Sequence, residues 1–206
     1  MKGTCYIIGA GDVFPTDVRA KEEDYIICAD GGYKYSGMLG RQADLVVGDF
    51  DSFGSIPETE NKIVAPAEKD ETDMTLAIME GHRRGYRNFV IFGALGGERF
   101  DHTVANLQLL SYICKNNSKG TIIHNNMVLA AFSNDEIIFS ENHKGYISVF
   151  SLCDESRGVT IENLRYTVKD YTLKSSMPLG VSNEFVGKKA RISVEDGTLL
   201  VICNKF

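Results

Sequence analysis

Residues 89–102, Phe89-Val90-Ile91-Phe92-Gly93-Ala94-Leu95-Gly96-Gly97-Glu98-Arg99-Phe100-Asp101-His102, read as a strand, a glycine-rich loop and the start of a helix. The four opening residues are apolar without alternation, the pattern of a strand buried on both faces. Glycines end the run. Residues 101–114 then set Val104, Leu107, Leu110 and Cys114 down one side at helical spacing. The same rhythm fills the sequence before it. Continuous apolar runs occur at residues 4–9, 25–29, 45–48 and 62–65, and residues 73–84 carry Met74, Ala77, Ile78 and Gly81 on one helical face. Strands alternating with helices predict an α/β fold with a mostly parallel, Rossmann-like sheet and flanking helices.

The style changes near residues 116–120. Beyond them lie strand-like pieces at 121–124, 128–132, 146–152, 159–161, 190–194 and 199–203, parted by turn residues. Asp196-Gly197 between the last two is a hairpin signal. No helical pattern remains. The expectation is an α/β domain over residues 1–117, followed by an antiparallel β-sandwich domain over residues 118–206. A length of 206 residues suits this division, at about 150 residues per domain.

Composition narrows the function. Hydrophobic residues make up 43% and charged residues 24%, an ordinary globular balance. The net charge of −6 argues against nucleic acid as a partner, because phosphate-backbone binding needs a basic face. No apolar stretch approaches the ~18 residues of a membrane span. The apolar run starting at Thr4 is cut by Gly9, Gly11 and Asp12, so it reads as a first strand and not a signal peptide. Cys5, Cys28, Cys114, Cys153 and Cys203 are odd in number and widely spaced, unlike a disulfide framework or zinc site. They read as free thiols of a cytoplasmic protein.

In an open parallel sheet, ligands bind beyond the carboxyl ends of the strands. There the sequence delivers Asp30-Gly31-Gly32, then Asp49-Phe50-Asp51-Ser52, then Lys69-Asp70-Glu71-Thr72-Asp73, then Gly96-Gly97-Glu98-Arg99-Phe100-Asp101-His102. Four such clusters on one rim are hard to explain as solvated turns. Asp49 and Asp51, two apart in an extended segment, point the same way and can meet one cation. Hard oxygen donors suit Mg²⁺, and the bland alternative is a surface turn. Asp73 opens a helix with Thr72 as N-cap, where any acid complements the helix dipole. His102 and Asn106 share a polar face of the next helix. Gly31-Gly32 and Gly96-Gly97 either let backbone N–H groups approach phosphate or make tight turns. Lys69 and Arg99 either neutralise phosphate or pair with the aspartates around them.

Known nucleotide fingerprints fail here. Gly9-Ala10-Gly11 runs on to Phe14 where the dinucleotide pattern wants a small residue, and Gly187-Lys188-Lys189 lacks the rest of a P-loop. The rim implies a nucleotide site built on carboxylates and metal.

These motifs, in this order, resemble the thiamin pyrophosphokinase family along nearly the whole chain. The rim segments match, with Asn106, and so do Asn163-Leu164-Arg165-Tyr166 and Ser182-Asn183-Glu184. Asn163 replaces a usual Gly, Thr167 stands where Pro is common, and Glu98 separates Gly97 from Arg99. The resemblance implies transfer of the pyrophosphoryl group of ATP to thiamin, giving thiamin diphosphate and AMP. It implies Mg²⁺ held by Asp49, Asp51 and Asp73, and Lys69 and Arg99 acting on the phosphates. Asp30, Gly31, Gly32, Gly96, Gly97, His102 and Asn106 would bind nucleotide. Tyr166 would stack on the thiamin ring, with Ser182 and Asn183 beside it. Asp101 either orients or deprotonates the thiamin hydroxyl, or serves the metal. A homodimer is implied, with the site at the subunit interface.

Rivals are a pyrophosphokinase for another heterocyclic alcohol such as a hydroxymethylpterin, an Asp-x-Asp phosphohydrolase and a non-catalytic nucleotide sensor. The hydrolase wants its Asp-x-Asp after the first strand and Thr or Val where Phe53 stands. Turnover separates the sensor from the enzymes.

Overall fold

The strand-and-helix rhythm of the first half becomes a parallel sheet in a computed structural model that describes residues 2–49, 61–66 and 70–204. In chain order come β1 (Cys5–Ile8), β2 (Tyr25–Ala29), a 3₁₀ helix (Asp30–Tyr35), β3 (Leu45–Gly48), β4 (Lys62–Val64), α1 (Asp73–Arg83), β5 (Asn88–Phe92), α2 (Phe100–Lys115) and β6 (Lys119–His124). The chain divides into two compact units, residues 1–109 with 122–125, and residues 110–121 with 126–206.

In the first unit the strands run β5-β1-β2-β3-β4, all paired in parallel. β1 and β3 are buried throughout and β2 at four of its five residues, as continuous apolar runs require. β4 departs from that expectation: all three of its residues are exposed. Among the described residues it ends the row, with β3 as its strand neighbour. Tyr6, Ile8, Ile26, Cys28, Leu39, Val46 and Phe92 form one core cluster. The 3₁₀ helix can lie on β1 because residue 32 is glycine; a Cβ there would sit 2.0 Å from the Ile8 carbonyl oxygen.

α1 follows the predicted pattern, burying Met74, Ala77, Ile78 and Gly81. The Thr72 hydroxyl caps it, accepting the Thr75 N–H at 3.2 Å. Glu80, also buried, is held by Arg83 at 2.6 Å and Arg84 at 2.7 Å. These pairs keep its carboxyl below the usual range, the Arg83 hydrogen bond foremost. On α2 the buried stripe is Asn106, Leu110, Ile113 and Cys114, and Val104 is exposed. Leu110 and Cys114 of the expected stripe are buried and Leu107 is half-buried, so the buried face turns only partly away from Val104, toward the polar Asn106.

The second unit holds β7 (Met127–Ser133), β8 (Glu136–Phe139), β9 (Tyr146–Ser151), β10 (Glu155–Glu162), β11 (Val168–Lys174), β12 (Gly180–Glu184), β13 (Ala190–Ser193) and β14 (Thr198–Asn204). They form two antiparallel arrays, β12-β9-β14-β7 and β11-β10-β13-β8. One core cluster draws on both, with Phe132, Ile147, Val149 and Leu199 from the first and Phe139, Ile161, Leu173 and Ile192 from the second. That is the sandwich arrangement.

Asp196-Gly197 is not a hairpin turn. β13 pairs with β10 and β8, whereas β14 pairs with β7 and β9. The dipeptide carries the chain from one array to the other. Asn134 holds it there, its side chain accepting the Gly197 N–H at 2.9 Å and its own N–H donating to the Gly197 carbonyl at 3.2 Å. All five cysteines are free, and Cys5, Cys28, Cys114 and Cys203 are buried. Burial pushes the Cys28 thiol up to about 12 and that of Cys114 up to about 11. Among the described residues no helix is long and apolar enough to cross a membrane.

Candidate active site

The loops beyond β1, β2 and β5 and the amino ends of α1 and α2 enclose a cavity of about 330 Å³ in the first unit. Asp30, Gly96, Gly97, Arg99, His102, Asn106 and Asp73 all line it, as do Glu98 and Thr72. Gly9, Ala10 and Gly11 line it too, although the sequence marks them only as a failed dinucleotide fingerprint. The signal that finds them is the carboxyl-end rule applied to the first strand as well as the later ones.

The loops after β1 and β5 are laced together. Gly9 N–H donates to the Phe92 carbonyl at 2.8 Å, Gly11 N–H to Gly93 at 2.9 Å and Asp12 N–H to Leu95 at 2.9 Å. Asn106 anchors the same loop from α2, donating to the Ala94 carbonyl at 2.7 Å. Gly96 takes φ +76, and a Cβ there would fall 2.0 Å from an Asp12 carboxylate oxygen. Its N–H donates to the Thr103 hydroxyl at 3.2 Å. Asp30 adopts φ +41 at the cavity lip, a conformation that costs a non-glycine residue energy and recurs at functional sites.

Arg99 and Asp101 form a two-bond pair, Nε to Oδ1 at 3.0 Å and Nη2 to Oδ2 at 2.7 Å, with both side chains exposed. The Arg99 hydrogen bonds hold the Asp101 carboxyl down to about 2. Of the two alternatives open for Arg99, the pairing is the one made here. Arg99 lines the cavity while its partner does not.

Asp49 stands one residue past β3, and Gly48 just before it abuts Asp30: a Cβ on Gly48 would lie 3.1 Å from the Asp30 Cα. Asp51 and Lys69 lie outside the described residues. Among the described residues no three His, Cys, Asp or Glu side chains form a metal cage. The donors on this rim nonetheless fit Mg²⁺. They are carboxylates, Asp49 and Asp73, and Mg²⁺ takes one or two of these and completes its shell with water and phosphate oxygens.

A second feature lies in the second unit. Tyr166, Val168, Tyr171, Leu179, Val181 and Asn183 line an apolar groove of about 300 Å³. Tyr166 sits in the loop between β10 and β11 and is 62% exposed, which excludes a core role for its ring. Its backbone N–H and carbonyl are both bonded by the Asn183 side chain, at 2.9 and 2.7 Å. Ser182 is exposed on β12 at φ +59, and its N–H donates to the Ser148 hydroxyl at 3.1 Å. Arg165, tied to Glu184 at 2.8 Å, places its guanidinium 5.8 Å from the Tyr166 ring centroid.

A glycine-backed, acid-lined cavity at the carboxyl ends of a parallel sheet is where an enzyme of the α/β class binds its ligand. Comparison with known proteins gives the particular family. The thiamin pyrophosphokinase catalytic-domain model matches residues 17–123, and the vitamin B1 binding-domain model of the same family matches residues 135–199. The thiamine pyrophosphokinase of Bacillus subtilis (strain 168) is 30% identical over 162 residues, 75% of each chain. A crystal structure of thiamine pyrophosphokinase from Bacillus subtilis superposes with TM-score 0.80 at 26% identity, covering 98% of this chain and 99% of that one. A family protein from Enterococcus faecalis gives TM-score 0.76 at 27% identity, covering 99% and 100%. The chain belongs to the thiamin pyrophosphokinase family. These matches favour the thiamin reading over the pterin alternative.

Proposed function

We propose that this chain transfers the pyrophosphoryl group of ATP to the hydroxyl of thiamin, giving thiamin diphosphate and AMP, with the residues above in definite roles. The observation that carries the reading is the first-unit cavity. Its lining contains Asp30, Asp73, Gly96, Gly97, Arg99, His102 and Asn106, all residues on which the family motifs fall. ATP binds there. Asp49, Asp51 and Asp73 would hold Mg²⁺, which would offset the charge of the triphosphate and of the AMP that leaves as the thiamin oxygen bonds the β-phosphorus. Catalysis is then mainly positioning and charge neutralisation. Lys69 and Arg99 supply fixed positive charge, and Arg99 must exchange Asp101 for phosphate oxygens to do so. Asp101, released by Arg99 and still ionised at neutral pH as any ordinary carboxyl is, orients the thiamin hydroxyl and accepts its proton as attack proceeds. Asp30, Gly96 and Gly97 line the space where the nucleotide lies, Gly31 and Gly32 stand outside that lining and let the chain after Asp30 pack against Ala10 and Ile8, and His102 and Asn106 face the nucleotide from α2.

Thiamin is cationic, flat and partly apolar. The exposed Tyr166 ring suits it by stacking and cation–π attraction. Asn183 lines the same groove as the ring, Ser182 stands exposed beside Asn183 on β12, and Glu184 neutralises Arg165 before a second cation arrives. Tyr166, Leu179 and Val181 line the groove and are exposed, an apolar set that supports a homodimer in which this groove of one copy completes the cavity of the other. Free, buried thiols support a cytoplasmic setting.

The product set tests the reading. With ATP, Mg²⁺ and thiamin, the expected products are AMP and thiamin diphosphate. ADP with thiamin monophosphate identifies a simple kinase, phosphate alone a hydrolase, and no turnover a sensor.

A further inference from the structure

Asn183 is buried, 6% exposed, and its side chain bonds the backbone of Tyr166, whose ring is exposed. Its carboxamide offers two N–H donors and one carbonyl oxygen with two lone pairs. The oxygen accepts the Tyr166 N–H at 2.9 Å and the Glu184 N–H at 2.9 Å. The nitrogen donates to the Tyr166 carbonyl at 2.7 Å. Three of four bonding positions are thus taken by backbone, two of them by one residue. Tyr166 lies in no strand, yet it receives the N–H and C=O pairing that a strand neighbour would give it. Its flanks extend the same zipper: Arg165 N–H donates to the Glu184 carbonyl at 2.9 Å, and Leu164 bridges Phe185.

β12 is irregular where this happens. Its register against β9 shifts between Gly180 and Asn183, and Ser182 takes φ +59. An irregularity of this kind re-aims side chains. Here it leaves Ser182 exposed and turns Asn183 inward.

We propose that Asn183 is a positioning residue that acts on thiamin only through Tyr166, by fixing the backbone from which the ring is presented to the groove. The proposal rests on the reading of Tyr166 as the thiamin platform. Tyr166 would otherwise be a loop residue, and holding its ring ready removes an ordering cost from each binding event. Asn183 itself need not touch the ligand.

A double-mutant cycle tests this, with thiamin KM and ATP KM measured for Asn183→Ala, Tyr166→Ala and the pair. Tyr166→Ala should raise the thiamin KM about 5- to 30-fold, as loss of a stacked ring does. Asn183→Ala should raise it by a similar or smaller factor and leave the ATP KM within about twofold. In the Tyr166→Ala background, adding Asn183→Ala should change nothing further, because its only route to thiamin is gone. Multiplying effects in the double variant would show an independent contact or a general structural role and overturn the proposal. An unchanged thiamin KM in Tyr166→Ala alone would refute the platform reading instead, a result seen before the cycle is closed.

The chain contains no tryptophan, so Tyr166→Trp adds a single indole at the platform. In that protein, Asn183→Ala should increase nanosecond ring motion in the fluorescence anisotropy decay without thiamin. An equally restrained indole would overturn the proposal. If the alanine variant does not fold, Asn183→Asp serves in both experiments. It keeps the two accepted bonds and sets an oxygen against the Tyr166 carbonyl, so it should loosen the ring and raise the thiamin KM. Wild-type behaviour of both would overturn the clamp.

Discussion

Arg99 and Asp101 meet through two hydrogen bonds on an exposed surface, and that pairing fixes what each contributes. The guanidinium stabilises the ionised carboxyl, so a proton binds only near pH 2 and not at the ordinary value of about 3.9. The sign follows: whatever stability the pair adds is present above the ordinary pKa and is lost as pH falls through about 2. An exposed pair adds little in any case. Arg99→Ala should return the Asp101 carboxyl toward its ordinary range, which an NMR titration of that carboxyl would read. An ordinary value already present in the unmodified protein would remove the pairing from the account. Asp49→Asn and Asp51→Asn should each lower turnover at least ~100-fold at saturating ATP and Mg²⁺, by analogy with losing one strong electrostatic stabiliser, with circular dichroism unchanged. Near-normal rates in both would withdraw the metal assignment. Most of the cavity was legible in the sequence because acids and glycines follow strands on one rim. The Arg99–Asp101 pair was legible only as one of two alternatives, since side-chain pairing across a turn depends on rotamers and not on spacing. The Asp12 carboxylate beside Gly96 left no signal at all, because the lacing of two loops creates that contact.

At the scale of elements, α1 shows how a cap serves a site. Thr72 caps the helix whose first residue is Asp73, and both line the cavity. Thr72→Ala should cost about 1 kcal/mol of stability, the ordinary price of a lost N-cap, and Thr72→Ser should restore most of it. Thermal melts of the three proteins check this; equal melting temperatures would show that the cap contributes nothing. Gly96→Ala belongs to the same scale. At φ +76, with Asp12 where the methyl group must go, the β5–α2 loop has to move, so activity should fall more than stability. β1, β2, β3 and β5 were readable because burial writes a continuous apolar run, and β4 reads the same way although its residues are exposed. β8, β11 and β12 were not, because each is only partly covered; β11 buries Leu173 alone. Asp196-Gly197 was misread for a different reason. The dipeptide reports a tight turn, but which sheet the next strand joins is decided by Asn134 and the shared core, far away in sequence.

Over the whole molecule, the residues assigned to chemistry lie in one compact unit and those assigned to thiamin in the other. If the site forms between copies, with the cavity of one chain completed by the Tyr166 face of its partner, then defects in the two features should complement. An Asp49→Asn chain keeps a sound Tyr166 face, and a Tyr166→Ala chain keeps a sound cavity. In a mixed dimer, one of the two sites then combines both sound features and the other combines both defects. Random reassortment of equal amounts makes half the dimers mixed, so activity should recover to roughly a quarter of the unmodified level, as two-fold symmetry requires. The assay uses thiamin below the Michaelis constant of the Tyr166→Ala protein, so that this variant alone contributes little. Mixing after brief dissociation in mild denaturant and refolding together, against separately refolded controls, isolates the effect. If each site is built within one chain, every site in the mixed dimer carries one defect, and activity stays at the mean of the two parents. That outcome would place both features of the site in a single chain and leave the exposed apolar set of the β domain without the role given to it here.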